Sequence, residues 1–275
     1  MNRATDILET IATRKSTGEP FALATVVRTV ATTSAKAGAK AVILPDGTFS
    51  EGWIGGGCAR AAVLRRRRTH LPTASRALSR WLEEVLTGQG RTAGEEEGGV
   101  PFAKNMCPSQ GAMDIFVEPV LPRPDVEICG SNPVAVAVAD LAKRCGFAVT
   151  VCAPAAEQSA FAEADRRIEG FALPVTEPAS RYVIVATQGR GDEAALAAVL
   201  AVDVDYVAFV GSRKKAQALR AALTERGVTA ERLYKLKAPA GLDLGAITPD
   251  EIAISILAEI VAVRRGKSRG ADARF

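Results

Sequence analysis

One histidine, His70, is all the chain offers in 275 residues. A Ser-His-Asp triad or a multi-histidine metal site therefore has almost nothing to be built from, and no pair of carboxylates stands out as an acid/base couple. The chain also lacks any run approaching the ~20 apolar residues of a membrane span. Its first residues, Met1-Asn2-Arg3-Ala4-Thr5-Asp6, lack the basic-then-apolar order of a signal peptide. Cysteine is scarce: Cys58, Cys107, Cys129, Cys145 and Cys152. Without an export signal these read as reduced thiols rather than a disulfide frame, and the expected compartment is the cytoplasm. The net charge is only +4, with no concentrated basic face, so nucleic acid is not an expected partner.

What is present is core-forming material, 48% hydrophobic against 24% charged residues, enough for one large or two ordinary domains. Pro119-Val120-Leu121-Pro122-Arg123-Pro124-Asp125 reads as the joint, because its prolines favour an extended spacer over a helix or a paired central strand. Before it, an amphipathic helix is expected over 4–13, strands over 21–27, 40–44 and 112–118, and helices over 58–69 and 74–86. Residues 88–104, rich in Gly and Glu, read as a long surface loop. After it, short apolar β-branched strands (126–129, 148–151, 182–186, 206–210) alternate with helices (133–143, 193–200, 213–226), the signature of a doubly wound parallel sheet. A final helix is marked by Thr248 as N-cap, Pro249 at its first position and Glu251 closing a capping box. The fold class is α/β: an α+β domain over 1–118, a linker over 119–125, a Rossmann-like domain over 126–263 and a basic disordered tail over 264–275.

The chemistry-bearing segment of the first half is Gly52-Trp53-Ile54-Gly55-Gly56-Gly57-Cys58. Glycines let backbone N–H groups approach a ligand closely, and a helix opening at Cys58 would place a thiolate at its favourable end. The segment reads either as a site for an anion or soft metal, or as a glycine bend with a small buried cysteine. Cys58 with Cys107 would make a two-thiolate site for Cu(I); the other cysteines read as core. Lys36 and Lys40, in a hydroxyl-rich stretch, suit a phosphorylated ligand or a plain turn. Arg65 to Arg68 read as an exposed basic turn or a partner surface.

In the second half, Gly130-Ser131-Asn132-Pro133 stands where a dinucleotide fingerprint would have two glycines, and Cys152-Ala153-Pro154 lacks the acid that would hold a ribose. Gly211-Ser212-Arg213 opens a helix and reads as a phosphate seat or a solvated basic turn. The loop 187–192 lies at another strand's C-terminal end, where ligands of open α/β sheets bind. The residues argue for holding a ligand more than for transforming one.

Together these segments resemble the XdhC/CoxI family, accessory proteins that mature molybdenum-containing hydroxylases such as xanthine dehydrogenase and CO dehydrogenase. The resemblance is carried in the first half by Gly38-Ala39-Lys40, Asp46-Gly47, Gly55-Gly56-Gly57-Cys58 and the stretch from Cys107 to Glu118-Pro119. In the second it is carried by Tyr206-Val207, Gly211-Ser212-Arg213-Lys214, Pro239-Ala240-Gly241-Leu242-Asp243-Leu244-Gly245-Ala246 and Thr248-Pro249-Asp250-Glu251. It implies binding of the molybdenum cofactor, as molybdopterin or its dinucleotide form, and protection during sulfuration, with a cysteine desulfurase as partner. Delivery to the large subunit of an apo-hydroxylase follows. The residues implied to hold the cofactor are Lys36, Lys40, Gly55–Gly57, Cys58 and Cys107, and Gly130, Ser131, Asn132, Gly211, Ser212 and Arg213, with an interdomain cleft as their setting. The chain departs from the family pattern at Arg60, Gly130-Ser131-Asn132-Pro133 and Gln188-Gly189-Arg190-Gly191.

Two rival functions stay open at this stage: Cu(I) or sulfur delivery through Cys58 and Cys107, and an NAD(P)- or flavin-dependent oxidoreductase. A homodimer is the default assembly.

Overall fold

A computed structural model describes residues 7–65, 83–87, 96–97, 100–101, 112–173 and 180–272. The chain divides between Pro122 and Arg123 into two compact units.

In the first unit, α1 (Ile7–Thr17) precedes β1 (Phe21–Val30), β2 (Lys40–Ile43), β3 (Phe49–Gly52), α2 (Gly57–Arg65), β4 (Glu83–Thr87), the short β5 (Glu96–Glu97) and β6 (Val100–Pro101), and β7 (Ala112–Val120). Five strands pair antiparallel in the order β3-β2-β1-β7-β4. The alternation along β1 turns Ala22, Ala24 and Val26 onto one face, where Ile54, Ala59, Val63, Met113 and Ile115 complete a core. The β2–β3 turn is tied by Asp46, whose carboxylate accepts the Thr48 N–H at 2.7 Å, with Gly47 left-handed at φ 90°.

The second unit runs β8 (Asp125–Cys129), α3 (Pro133–Arg144), β9 (Ala148–Ala153), a 3-10 turn (Ala155–Ala160), β10 (Arg166–Glu169), β11 (Arg181–Val185), α4 (Asp192–Leu200), β12 (Tyr206–Phe209), α5 (Arg213–Glu225), α6 (Ala230–Lys235), β13 (Leu236–Lys237) and α7 (Pro249–Asp272). All six strands are parallel, in the order β10-β9-β8-β11-β12-β13. That is the doubly wound dinucleotide-domain order, whose direction of winding reverses between β8 and β11. One face packs Val126, Ile128, Tyr182 and Ile184 against α3 and α7. The other packs Val183, Val185, Val207 and Phe209 against α4, α5 and α6. Burial on both faces is why these strands read as unbroken apolar runs. The capping box opening α7 forms as drawn from the sequence: Glu251 accepts the Thr248 N–H at 2.9 Å and the Thr248 hydroxyl accepts the Glu251 N–H at 3.3 Å.

Several expectations are corrected. Residues 83–86, expected to end a helix, lie in β4, where pairing with β7 overrides local helix propensity. Two short strands pair within the stretch read as a loop. Pro119 and Val120 belong to β7 and Asp125 to β8, so the connection is shorter than expected. Pro119 is tolerated opposite Ala22 because β4 pairs only as far as Val117, leaving no ladder on its other side. The basic tail is helical as far as Asp272; the Arg264 guanidinium lies 5.5 Å from the centre of the Phe147 ring, docking the start of that extension. The strands β3, β10 and β13 and the helix α6 were not expected, being too short to show periodicity.

Candidate functional site

In the first unit the glycine run leaves β3 with Gly52 left-handed at φ 75°, and a side chain there would overlap the Lys40 carbonyl. The Trp53 N–H donates to that carbonyl at 2.8 Å, and Ile54 is buried in the core. Gly55 has φ 121°; a Cβ would stand 3.1 Å from Ser34 Oγ and 3.3 Å from Ala59 Cβ. Ser34 in turn accepts the Gly56 N–H at 3.3 Å. Gly55 is thus favoured by its left-handed backbone and by close neighbours, whereas Gly56 and Gly57 face open space.

Cys58 is exposed in the first turn of α2, not the small buried residue of one reading nor the sheltered thiol that the resemblance suggested. Lys36 is exposed. Lys40 is half-buried and its ammonium is engaged, donating to Thr25 Oγ1 at 2.9 Å. Arg60 stacks 4.4 Å above the Phe49 ring. Cys107, His70 and Arg66–Arg68 lie outside the described residues. Among the described residues no group of three or more His, Cys, Asp or Glu is placed to hold a metal.

In the second unit a crevice of about 220 Å³ opens between the C-terminal ends of β8 and β11, lined by Ser131, Asn132, Thr187, Gln188 and Arg190. This is the switch point of the sheet, where ligands of such folds bind. Gly130 makes the turn possible: it has φ 117°, and a Cβ would overlap the Ala186 carbonyl. Asn132 caps α3, its side-chain oxygen accepting the Ala135 N–H at 2.8 Å. That leaves the Asn132 amide nitrogen as a donor at the crevice. Because Pro133 has no N–H and Ala135 is capped, the first turn of α3 keeps only the Val134 N–H for an anion.

The loop after β11 is shaped by Asp192. Its Oδ1 accepts the Thr187 hydroxyl and, at 2.9 Å, the Gly189 N–H, while its Oδ2 pairs with Lys215 of α5. Burial opposes ionisation of Asp192, but these donors win and hold its carboxyl below the ordinary value. The loop is tight enough to put Gln188 itself in a left-handed conformation at φ 51°.

Glu157 bridges the crevice from the 3-10 turn, accepting the Ser131 hydroxyl on one oxygen and Arg190 on the other at 3.1 Å. An acid thus reaches the crevice from four residues beyond the end of β9. The hydroxyl protons of Ser131 and Thr187 are both given to carboxylates, so those oxygens meet a ligand as acceptors. Donors come from Asn132 and Arg190. Beneath the turn, Cys129 and Cys152 are register partners on adjacent strands and both fully buried. Their mutual hydrogen bond, and then burial, push the Cys129 thiol well above its usual pKa, which makes it a packing residue. Cys145, expected in the core, is exposed.

Of the residues singled out in this half, Gly130, Ser131 and Asn132 shape the crevice. Gly211, Ser212 and Arg213 lie one strand away, after β12. There Ser212 caps α5 by accepting the Lys215 N–H at 3.2 Å, and Gly211 is required by the Phe209 ring packed over it. Lys215 links that turn to the crevice loop through Asp192.

The fold defines a protein with a Rossmann-type domain following an antiparallel-sheet domain. Residues 126–260 match the XdhC Rossmann domain and residues 15–81 the XdhC and CoxI family, and the chain belongs to the XdhC and CoxI family. It is 29% identical over 259 residues to the uncharacterized protein YqeB of Escherichia coli K12, covering 91% of this chain and 45% of that one. It is 27% identical over 160 residues to a probable xanthine dehydrogenase subunit of Bacillus subtilis 168, covering 55% of this chain and 46% of that one. The chain thus spans less than half the length of either relative in the matched region. A Bacillus halodurans crystal structure described as a xanthine dehydrogenase shares 18% identity and a TM-score of 0.46, with 95% of each chain covered. No helix among the described residues is long and apolar enough to cross a membrane.

Proposed function

We propose that this protein is a maturation factor that holds the molybdenum cofactor for a molybdenum-containing hydroxylase, with the crevice of the second unit taking the cofactor's phosphate-bearing end. The observation that carries this reading is the crevice's lining. Arg190 and the Asn132 amide supply donors for phosphate oxygens, and Ser131 and Thr187 supply acceptors for hydroxyls of a pterin or nucleotide portion. Arg190 is exposed and only loosely held by Glu157, so it can turn to an arriving phosphate at little cost. Asp192 and Lys215 keep the loop in shape meanwhile. When bound, the cofactor supplies the molybdenum and dithiolene chemistry that the partner hydroxylase uses. This chain's residues bind and orient it, and in the first unit Cys58, exposed at the start of α2, offers a thiol for Cu(I).

The reading as a nicotinamide enzyme is disfavoured by α3, whose first turn offers a pyrophosphate a single backbone donor. The test is anaerobic titration with molybdenum cofactor, followed by equilibrium separation and molybdenum and copper analysis. Saturable binding near one cofactor per chain is expected, weakened about tenfold by Arg190→Ala, the usual scale for one charge-assisted contact. Absence of binding, or binding indifferent to Arg190→Ala, overturns the placement. Copper uptake that is lost in Cys58→Ser, without cofactor binding, favours metal delivery instead.

A further inference from the structure

The helix α7 buries Ala253, Ile256, Leu257 and Ile260 against the sheet and α3. Its opposite side should be polar in a solitary molecule. Instead Ile254 is 52% and Val261 41% exposed. At about 100° per residue, Asp250, Ile254, Ala258, Val261 and Arg265 fall within a sector of about 80°. They form a single outward stripe, with an apolar middle, an acid at one end and a base at the other. Asp250 and Arg265 are both exposed, and neither has an ion-pair partner among the described residues.

We infer that this stripe is a two-fold interface between copies of this chain, with two α7 helices crossing antiparallel at Ala258. The charge order selects the occupant. A two-fold axis midway between Ile254 and Val261 sets Ile254 of each copy against Val261 of its mate. The same axis sets Asp250 against Arg265 at both ends, so one surface is complementary to itself. A parallel arrangement would set like charges together. Antiparallel packing also opposes the helix dipoles, and the small Ala258 side chain lets the two backbones approach. One helix stripe is narrow beside the ~1,200 Å² or more of a standard interface, so association is weak and concentration-dependent.

Sedimentation velocity of the full chain over about a hundredfold range of concentration tests this. The wild type is expected to pass from a 28.8 kDa species to its dimer as concentration rises. Asp250→Arg and Arg265→Asp alone should each raise the dimer dissociation constant about tenfold, because symmetry repeats the changed contact twice. The double reversal should restore it, and Ile254→Asp should abolish association. All three positions are exposed, and unchanged circular dichroism shows that the variants remain folded. A wild type that stays monomeric throughout overturns the inference, as does a dimer indifferent to the single reversals or not rescued by the double.

Discussion

Toward the C-terminal end of the six-stranded sheet, Arg190 meets Glu157 at 3.1 Å with 83% of its side chain exposed. Toward the N-terminal end, Arg181 meets Glu127 at 2.8 Å with the two side chains 9% and 0% exposed. The partners are the same kinds of residue, but water decides what each pair can do. The outer pair is screened, worth little to stability and free to exchange one partner for a ligand. The inner pair sits among Asp125 and Thr150, whose hydroxyl donates to Asp125 at 2.9 Å, and Glu127 Oε2 has no hydrogen-bond partner among the described residues. There, burial first of all, and the neighbouring Asp125, push the Glu127 carboxyl up to about 7 despite Arg181. Ions left in water stay free to change partners; ions taken out of water become part of the fold.

The largest effect that would break this comparison comes from truncating the inner pair. Glu127→Ala should cost about 3–5 kcal/mol in urea unfolding, because it removes the carboxylate facing the buried Arg181 guanidinium and opens a cavity between β8 and β11. A loss near zero would mean that Arg181 reaches water.

The next effect is on pH dependence. With its pKa raised in the fold, Glu127 contributes stability that is full below the ordinary carboxylate range and lost as pH rises through about 7. Asp165 works in the opposite window. Burial opposes its charge, but Lys143, Arg123 and the Val149 N–H hold it at about 2. Its contribution is present above the ordinary range and lost as pH falls through about 2. Glu127→Gln should therefore flatten unfolding free energy between about pH 4.5 and 7, removing a slope of at most about 1.4 kcal/mol per pH unit while leaving the acid limb in place. An unchanged slope would assign it to another group.

The smallest effect sharpens the contrast. Arg190→Ala should leave the urea midpoint within about 0.5 kcal/mol of wild type, as exposed pairs do, whatever it does to ligand binding. A larger loss would make Arg190 structural.

The parallel sheet was legible because strands buried on both faces must be apolar throughout, as Tyr182-Val183-Ile184-Val185 is. The exception was instructive: Glu127 interrupts Val126 and Ile128, yet the strand stands, since Arg181 on β11 neutralises the acid from the neighbouring strand. The crevice was half legible. Gly130 and the loop 187–192 could be placed at strand ends, but Glu157 could not, because a 3-10 turn without periodic pattern carries it back to Ser131. In the first unit the glycine run was visible, yet its three consecutive glycines have different reasons. Gly55 answers to Ser34 and Ala59, while Gly56 and Gly57 answer to no side chain.

The sequence by itself determined the local matters: where apolar periodicity of two or 3.6 lays down strands and helices, where Thr248 and Glu251 cap α7, and where Gly130 lets β8 turn. These depend on neighbours within a few residues, whose chemistry is written in order. Tertiary structure decided which distant groups share a dielectric and a hydrogen bond. It set Glu127 in the dry interior with Arg181 and Glu157 at the wet crevice with Arg190, because solvent exposure is a property of the packed sheet and not of the residue.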